Sequence, residues 1–148
     1  MPNILLIDHD TVALEALSET LALRVPRARV DTAKTVSTAL SLITIREYDL
    51  IVCDFQLPGM EWPTLLKRSK AIRPGVPVVM ITSYQDLDLE CRALRLGASI
   101  VMQKPIEREV FLGHIERMLH ESRSGPRLKQ TLDRRPSPFK METTMRQR

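Results

Sequence analysis

Short uninterrupted apolar runs, separated by apolar stripes at helical spacing, fill the first 121 residues of the chain. The clearest runs are Ile4–Ile7, Leu50–Cys53, Val78–Ile81 and Ile100–Met102, and they give way to Asp8, Asp54, Thr82 and Gln103-Lys104. Runs of this length without polar alternation predict strands buried on both faces, and the first polar residue marks where each strand leaves the core. A weaker signal at Arg29–Thr32 predicts one more strand. Between the runs, five sets recur at helical spacing: Leu14, Leu17, Leu21; Val36, Ala39, Leu40, Ile43; Leu65, Leu66, Ser69, Ile72; Leu87, Cys91, Leu94; and Phe111, Leu112, Ile115, Met118, Leu119. Each set is expected to face inward. Asp10 or Thr11 can cap the first helix, which must end before Pro26. Pro63 suits a first helical turn, Pro74-Gly75 stops that helix, and the fourth closes near Gly97.

Alternation of strands and helices implies an α/β fold in which strands pair in parallel through right-handed crossovers, so all strand exits share one edge. The expected architecture is a flavodoxin-like, doubly wound sheet of five strands in the order 2-1-3-4-5 with five helices. In that order the crevice at the switch point brings Asp8 beside Asp54, with Thr82 and Lys104 arriving from the fourth and fifth strands. Asp54, followed by a turn at Pro58-Gly59, is where function should be sought. Two clustered carboxylates repel, and each has its pKa raised unless a cation lies between them. Hard oxygen ligands suit magnesium, which takes one or two carboxylates and keeps several waters. A phosphoryl group would complete the set, with Lys104 neutralising its oxygens, Thr82 donating a hydrogen bond and Asp54 as nucleophile.

Composition narrows the picture. With 43% hydrophobic but 4% aromatic residues in 148, the core must be built from aliphatic side chains in a single domain. The net charge of +4 hides an asymmetry. Residues 122–148 carry eight Lys or Arg against Asp133 and Glu142, a net of +6, which leaves residues 1–121 at −2. We divide the chain into a domain at 1–121 and a basic tail at 122–148, where Ser-Gly-Pro and Arg-Arg-Pro-Ser-Pro without apolar periodicity predict disorder. The tail is expected to be a solvated segment; no helix-turn-helix or interleaved aromatic pattern supports specific DNA binding. Nothing after Ser122 suggests a conventional output domain. Cys53 and Cys91 lie in apolar runs and are expected as reduced, buried thiols, which points to the cytoplasm. The run at Ile4–Ile7 is too short for a signal peptide or membrane span.

The ordered set Ile7-Asp8, Asp54 with Pro58-Gly59-Met60, Thr82-Ser83 and Lys104-Pro105 resembles the receiver domains of bacterial two-component response regulators, over about residues 3 to 121. The resemblance implies that Asp54 accepts a phosphoryl group from a histidine kinase or phosphotransfer protein. It implies that Asp8, Asp54 and the backbone carbonyl of Gln56 hold Mg2+, and that Thr82 and Lys104 contact the phosphoryl group. It also implies a cis peptide before Pro105 and partner binding through the fourth helix, fifth strand and fifth helix. The expected output is protein binding by a stand-alone receiver, not catalytic turnover.

Three positions depart from the family pattern. His9 stands where a second acid, commonly a direct metal ligand, is usual, and imidazole is a poorer magnesium partner than a carboxylate. Val101 replaces the usual aromatic switch three residues before Lys104. Glu61-Trp62-Pro63 replaces the acid-glycine step after the turn, with Trp62 expected to pack near the site. An alternative follows from His9: a phosphorylation-independent adaptor that keeps the fold with weakened metal binding. A phosphatase using Asp54 as nucleophile is disfavoured, because Gln56 stands where a second Asp would be needed. Gln56 and Tyr84, each two residues beyond a site residue, are expected to affect the lifetime of the phosphoryl group.

Overall fold

The computed structural model describes residues 1–57 and 62–123. The turn at Pro58-Gly59, Met60, Glu61 and the tail from residue 124 onward lie outside the described residues. The elements alternate as β1 (Asn3–Ile7), α1 (Thr11–Arg24), β2 (Arg29–Ala33), α2 (Val36–Ile45), β3 (Leu50–Asp54), α3 (Trp62–Ile72), β4 (Val78–Thr82), α4 (Leu87–Arg95), β5 (Ile100–Gln103) and α5 (Arg108–Arg123). All four strand pairings are parallel and give the order β2-β1-β3-β4-β5, as the sequence predicts.

Every residue of β3 and β4 is buried, because helices cover both faces of the sheet. Successive side chains in a strand point to opposite faces, and the core divides accordingly. Leu5, Ile7, Ile51, Cys53, Val78 and Met80 join α2, α3 and α4, while Ile4, Leu6, Leu50, Val52, Val79 and Ile81 join α1 and α5. The apolar stripe of α5 is fully inward: Phe111, Leu112, Ile115, Met118 and Leu119 are all buried. Asp10 caps α1, its Oδ1 accepting from the Val12 amide at 2.9 Å and the Ala13 amide at 3.4 Å. Gly97 adopts a φ of 114° just beyond α4, a conformation that favours glycine.

Helix α4 corrects two expectations. The stripe of Leu87, Cys91 and Leu94 faces solvent, with Leu87 75% and Leu94 48% exposed. Cys91 is therefore an exposed thiol rather than a buried one. The inward face consists of Ala93, fully buried, with Leu89 and Leu96 packed beside it. Cys53 is buried as expected, and burial holds its thiol well above the ordinary range.

Candidate functional site

Each site residue stands at the last rung of the sheet or one residue beyond it. The Asp8 amide donates to the Ala33 carbonyl at 3.0 Å, the Phe55 amide to Ile81 at 2.9 Å, and the Lys104 amide to Thr82 at 2.8 Å. These bonds continue the parallel ladders past the strand ends and fix the backbone on both sides of Asp54. The sheet thus delivers Asp8, Asp54, Thr82 and Lys104 to one edge, where Lys104 contacts both carboxylates and the Thr82 hydroxyl is engaged by Tyr84. Asp8 is 6% exposed, Asp54 2% and Thr82 0%.

Lys104 bridges the two carboxylates. Its Nζ lies 2.5 Å from Asp54 Oδ2 and 3.6 Å from Asp8 Oδ2. The Lys104-Pro105 peptide is cis. The other Asp54 oxygen, Oδ1, accepts from the Gln56 amide at 2.7 Å. The Thr82 hydroxyl accepts from the Tyr84 amide at 3.0 Å. Burial alone lowers the Lys104 ammonium, but the hydrogen bond and charge of Asp54, joined by Asp8, outweigh it and hold it above its ordinary value.

Asp8 moves upward. Burial is the largest cause and the Asp54 charge adds to it; together they exceed the opposing bond from the Asp10 amide (2.9 Å) and the attraction of Lys104. A carboxyl raised in the folded state contributes stability that is fully present below its unfolded value of about 3.9 and is lost as pH rises through the folded value. At neutral pH without a divalent cation, ionised Asp8 therefore burdens the fold. Asp8→Asn, which keeps an acceptor for the Asp10 amide, is expected to raise the neutral-pH melting temperature by a few degrees. The gain should vanish in acid. A neutral-pH melting temperature equal to or below that of the wild-type protein would contradict this account.

The turn after β1 and the loop after β3 meet through His9. Its Nδ1 lies 3.0 Å from the Gln56 carbonyl oxygen and 3.5 Å from Asp8 Oδ1. The Gln56 side-chain amide in turn donates to the Tyr84 hydroxyl at 2.7 Å, joining the loops after β3 and β4. Val101 is half-buried and packs against the α2/α3/α4 core. Trp62 packs near the site as predicted, its ring 4.7 Å from that of Phe55 in an edge-on arrangement. Arg92 of α4 covers the same indole at 5.5 Å. Neither the Arg92 stack between α4 and α3 nor the loop-to-loop partners of His9 and Tyr84 can be read from the sequence, since no spacing rule encodes side-chain contacts between distant segments.

The response regulator receiver domain model matches residues 4–116. The chain belongs to the receiver domain family of response regulators. Among receiver relatives, it is 32% identical over 116 residues to the response regulator protein FleR of Pseudomonas aeruginosa, a match covering 78% of this chain and 24% of FleR. The C4-dicarboxylate transport transcriptional regulatory protein DctD of the same organism is 30% identical over 123 residues, covering 82% of this chain and 26% of DctD. The chain thus spans about a quarter of the length of these relatives. The receiver fold also matches a solved CheY-like receiver domain protein from Methanospirillum hungatei, with a TM-score of 0.79, 29% identity, and 84% and 98% of the two chains covered. Receiver domains of this kind serve two-component signalling. No described helix of this receiver is long and apolar enough to cross a membrane.

Two buried carboxylates and a backbone carbonyl at one crevice are the hard oxygen donors that magnesium takes, so Asp8, Asp54 and Gln56 fit the family's ion. Among the described residues, no group of three or more His, Cys, Asp or Glu side chains is arranged to hold a metal.

Proposed function

We propose that this receiver accepts a phosphoryl group on Asp54 from a histidine kinase or phosphotransfer protein and thereby changes its affinity for a protein partner. The observation that carries the reading is a buried Asp54 whose two oxygens are held by the Gln56 amide and the Lys104 ammonium. In the transfer, the donor's bond to phosphorus breaks as an Asp54 oxygen bonds to phosphorus, giving an acyl phosphate. Lys104 neutralises the oxygens of the arriving group and Thr82 turns its hydroxyl toward it. Bound at Asp8, Asp54 and the Gln56 carbonyl, Mg2+ would supply further charge neutralisation.

Transmission follows from the links already in place. The Lys104 amide is bonded to the Thr82 carbonyl, and Gln85, just before α4, donates to the Gln103 side chain at 3.4 Å. A phosphoryl group that draws Thr82 and Lys104 inward would shift the populations of the β4-α4 loop and β5 together. The surface beside them suits protein recognition: Leu87 and Leu94 of α4, Tyr84 of the β4-α4 loop, and Val110 of α5 are all exposed. The reading is tested by treating the protein with a small acyl phosphate and magnesium and recording the intact mass. One phosphoryl adduct on wild type and none on Asp54→Asn is expected; no adduct on wild type, or an equal one on the variant, would sink it.

A second reading is favoured by the contact between His9 and the Gln56 carbonyl. There the domain is a phosphorylation-independent adaptor in which His9 has weakened the metal site. A magnesium titration followed by Trp62 fluorescence separates the two, since the adaptor predicts no response up to high concentration.

A further inference from the structure

We propose that His9 closes the metal position by hydrogen bonding to one of its ligands, so that magnesium must displace the imidazole before it can bind. The proposal rests on the receiver reading, which makes the Gln56 carbonyl a metal ligand. A carbonyl oxygen only accepts, so the nitrogen 3.0 Å from it must carry the hydrogen. A ring nitrogen carrying hydrogen has no lone pair in the ring plane to offer a cation. His9 in this position therefore is not a ligand. It is a donor competing for a ligand's electrons.

The place of the N–H adds to the competition. Nδ1 is also 3.5 Å from Asp8 Oδ1, so the donor lies in the interval between two oxygens that would converge on one ion. The other donors in the crevice complete the picture: Asp8 Oδ1 accepts from the Asp10 amide, Asp54 Oδ1 from the Gln56 amide, and Asp54 Oδ2 from Lys104. All three candidate ligand residues are satisfied from within the chain. The His9 side chain is 49% exposed and can swing into solvent, whereas the buried carboxylates cannot move aside. His9 is thus the movable part.

This differs from the view that the site is weak because His9 supplies no carboxylate. If the only defect were a missing ligand, His9→Ala would bind magnesium no better than wild type. If His9 were a ligand, the alanine would bind less well. Removal of a plug predicts the opposite sign: His9→Ala should bind magnesium tighter by roughly fivefold, the worth of one net hydrogen bond.

The experiment is a magnesium chloride titration at fixed pH followed by the backbone amide NMR shifts of Asp8 to Asp10 and of Asp54 to Gln56. Wild type, His9→Ala, and His9→Ala combined with Asp8→Asn are compared. The proposal expects tighter binding in the first variant and loss of that gain in the second. Unchanged or weaker binding in His9→Ala overturns it, and so does a gain that survives Asp8→Asn, because the ion then binds elsewhere. The intact-mass experiment keeps the two claims apart. If His9→Ala binds no tighter yet wild type takes a phosphoryl group on Asp54, only the plug fails. If binding tightens but no protein forms the adduct, the phosphoacceptor reading fails and the plug stands.

Discussion

Lys104→Met is expected to slow formation of the Asp54 acyl phosphate by about 10²–10³-fold at a fixed concentration of small phosphodonor, a loss typical of removing one preorganised charge from a transition state. The methionine keeps most of the apolar stem and removes only the ammonium. In the resting site that ammonium is 2.5 Å from Asp54 Oδ2 and neutralises a carboxylate with 2% exposure. As the phosphoryl group arrives with its own negative oxygens, the same ammonium is within reach of both and need not be brought in from solvent. Without it, two negative groups must meet in a crevice that already holds Asp8, and Coulomb repulsion there is much stronger than in water. The rate of adduct growth by intact mass checks this. A rate within about tenfold of wild type would show that Lys104 does not perform this neutralisation.

The same variant should reveal the resting electrostatics. With Lys104 gone, Asp8 and Asp54 face each other unbalanced, so the melting temperature at neutral pH should fall, and the fall should shrink in acid as Asp8, whose carboxyl is already raised by burial and the Asp54 charge, takes up a proton. A deficit independent of pH would mean that the lost packing of the stem outweighs the lost charge.

Much of this site was legible because its chemistry sits at the ends of apolar runs. Asp8, Asp54 and Thr82 are each the first polar residue after a buried strand, and strand alternation alone puts those exits on one edge. Helix α4 shows where that logic stops. Leu87, Cys91 and Leu94 have the same spacing as Leu89, Ala93 and Leu96, so periodicity cannot choose between two apolar faces half a turn apart. Packing chooses. Ala93 lies in the core beside the sheet and the neighbouring Arg92 lies over Trp62, which together fix the rotation of the helix. The larger side chains are left outside, with Leu87 and Leu94 exposed to solvent. The His9 to Gln56 and Gln56 to Tyr84 bonds were illegible for a different reason: they join loops that are distant in sequence and depend on side-chain rotamers, to which no hydropathy pattern responds.

Phe111→Ala is expected to lower the unfolding free energy by about 3–5 kcal/mol, which is a large share of the roughly 5–15 kcal/mol that holds a domain of this size together. Phe111 is fully buried among the side chains that α1 and α5 direct at Ile4, Leu6, Val52 and Ile81, so its removal leaves a cavity lined by close-packed neighbours. The competing tie between the same helices is the paired contact of Arg24 with Glu109, at 3.1 Å for both bonds. That pair is exposed and screened by solvent, so Glu109→Ala should leave the urea midpoint almost unchanged while Phe111→Ala lowers it strongly. Equal effects would mean that the ion pair, not the aromatic core, docks α5. Because Phe111 packs on the opposite face of the sheet from Trp62 and Phe55, the Phe111→Ala molecules that remain folded should still take a phosphoryl group on Asp54. Loss of the adduct in folded Phe111→Ala would show instead that the α1/α5 core helps to hold the acidic crevice, and that the two faces of the sheet are not independent.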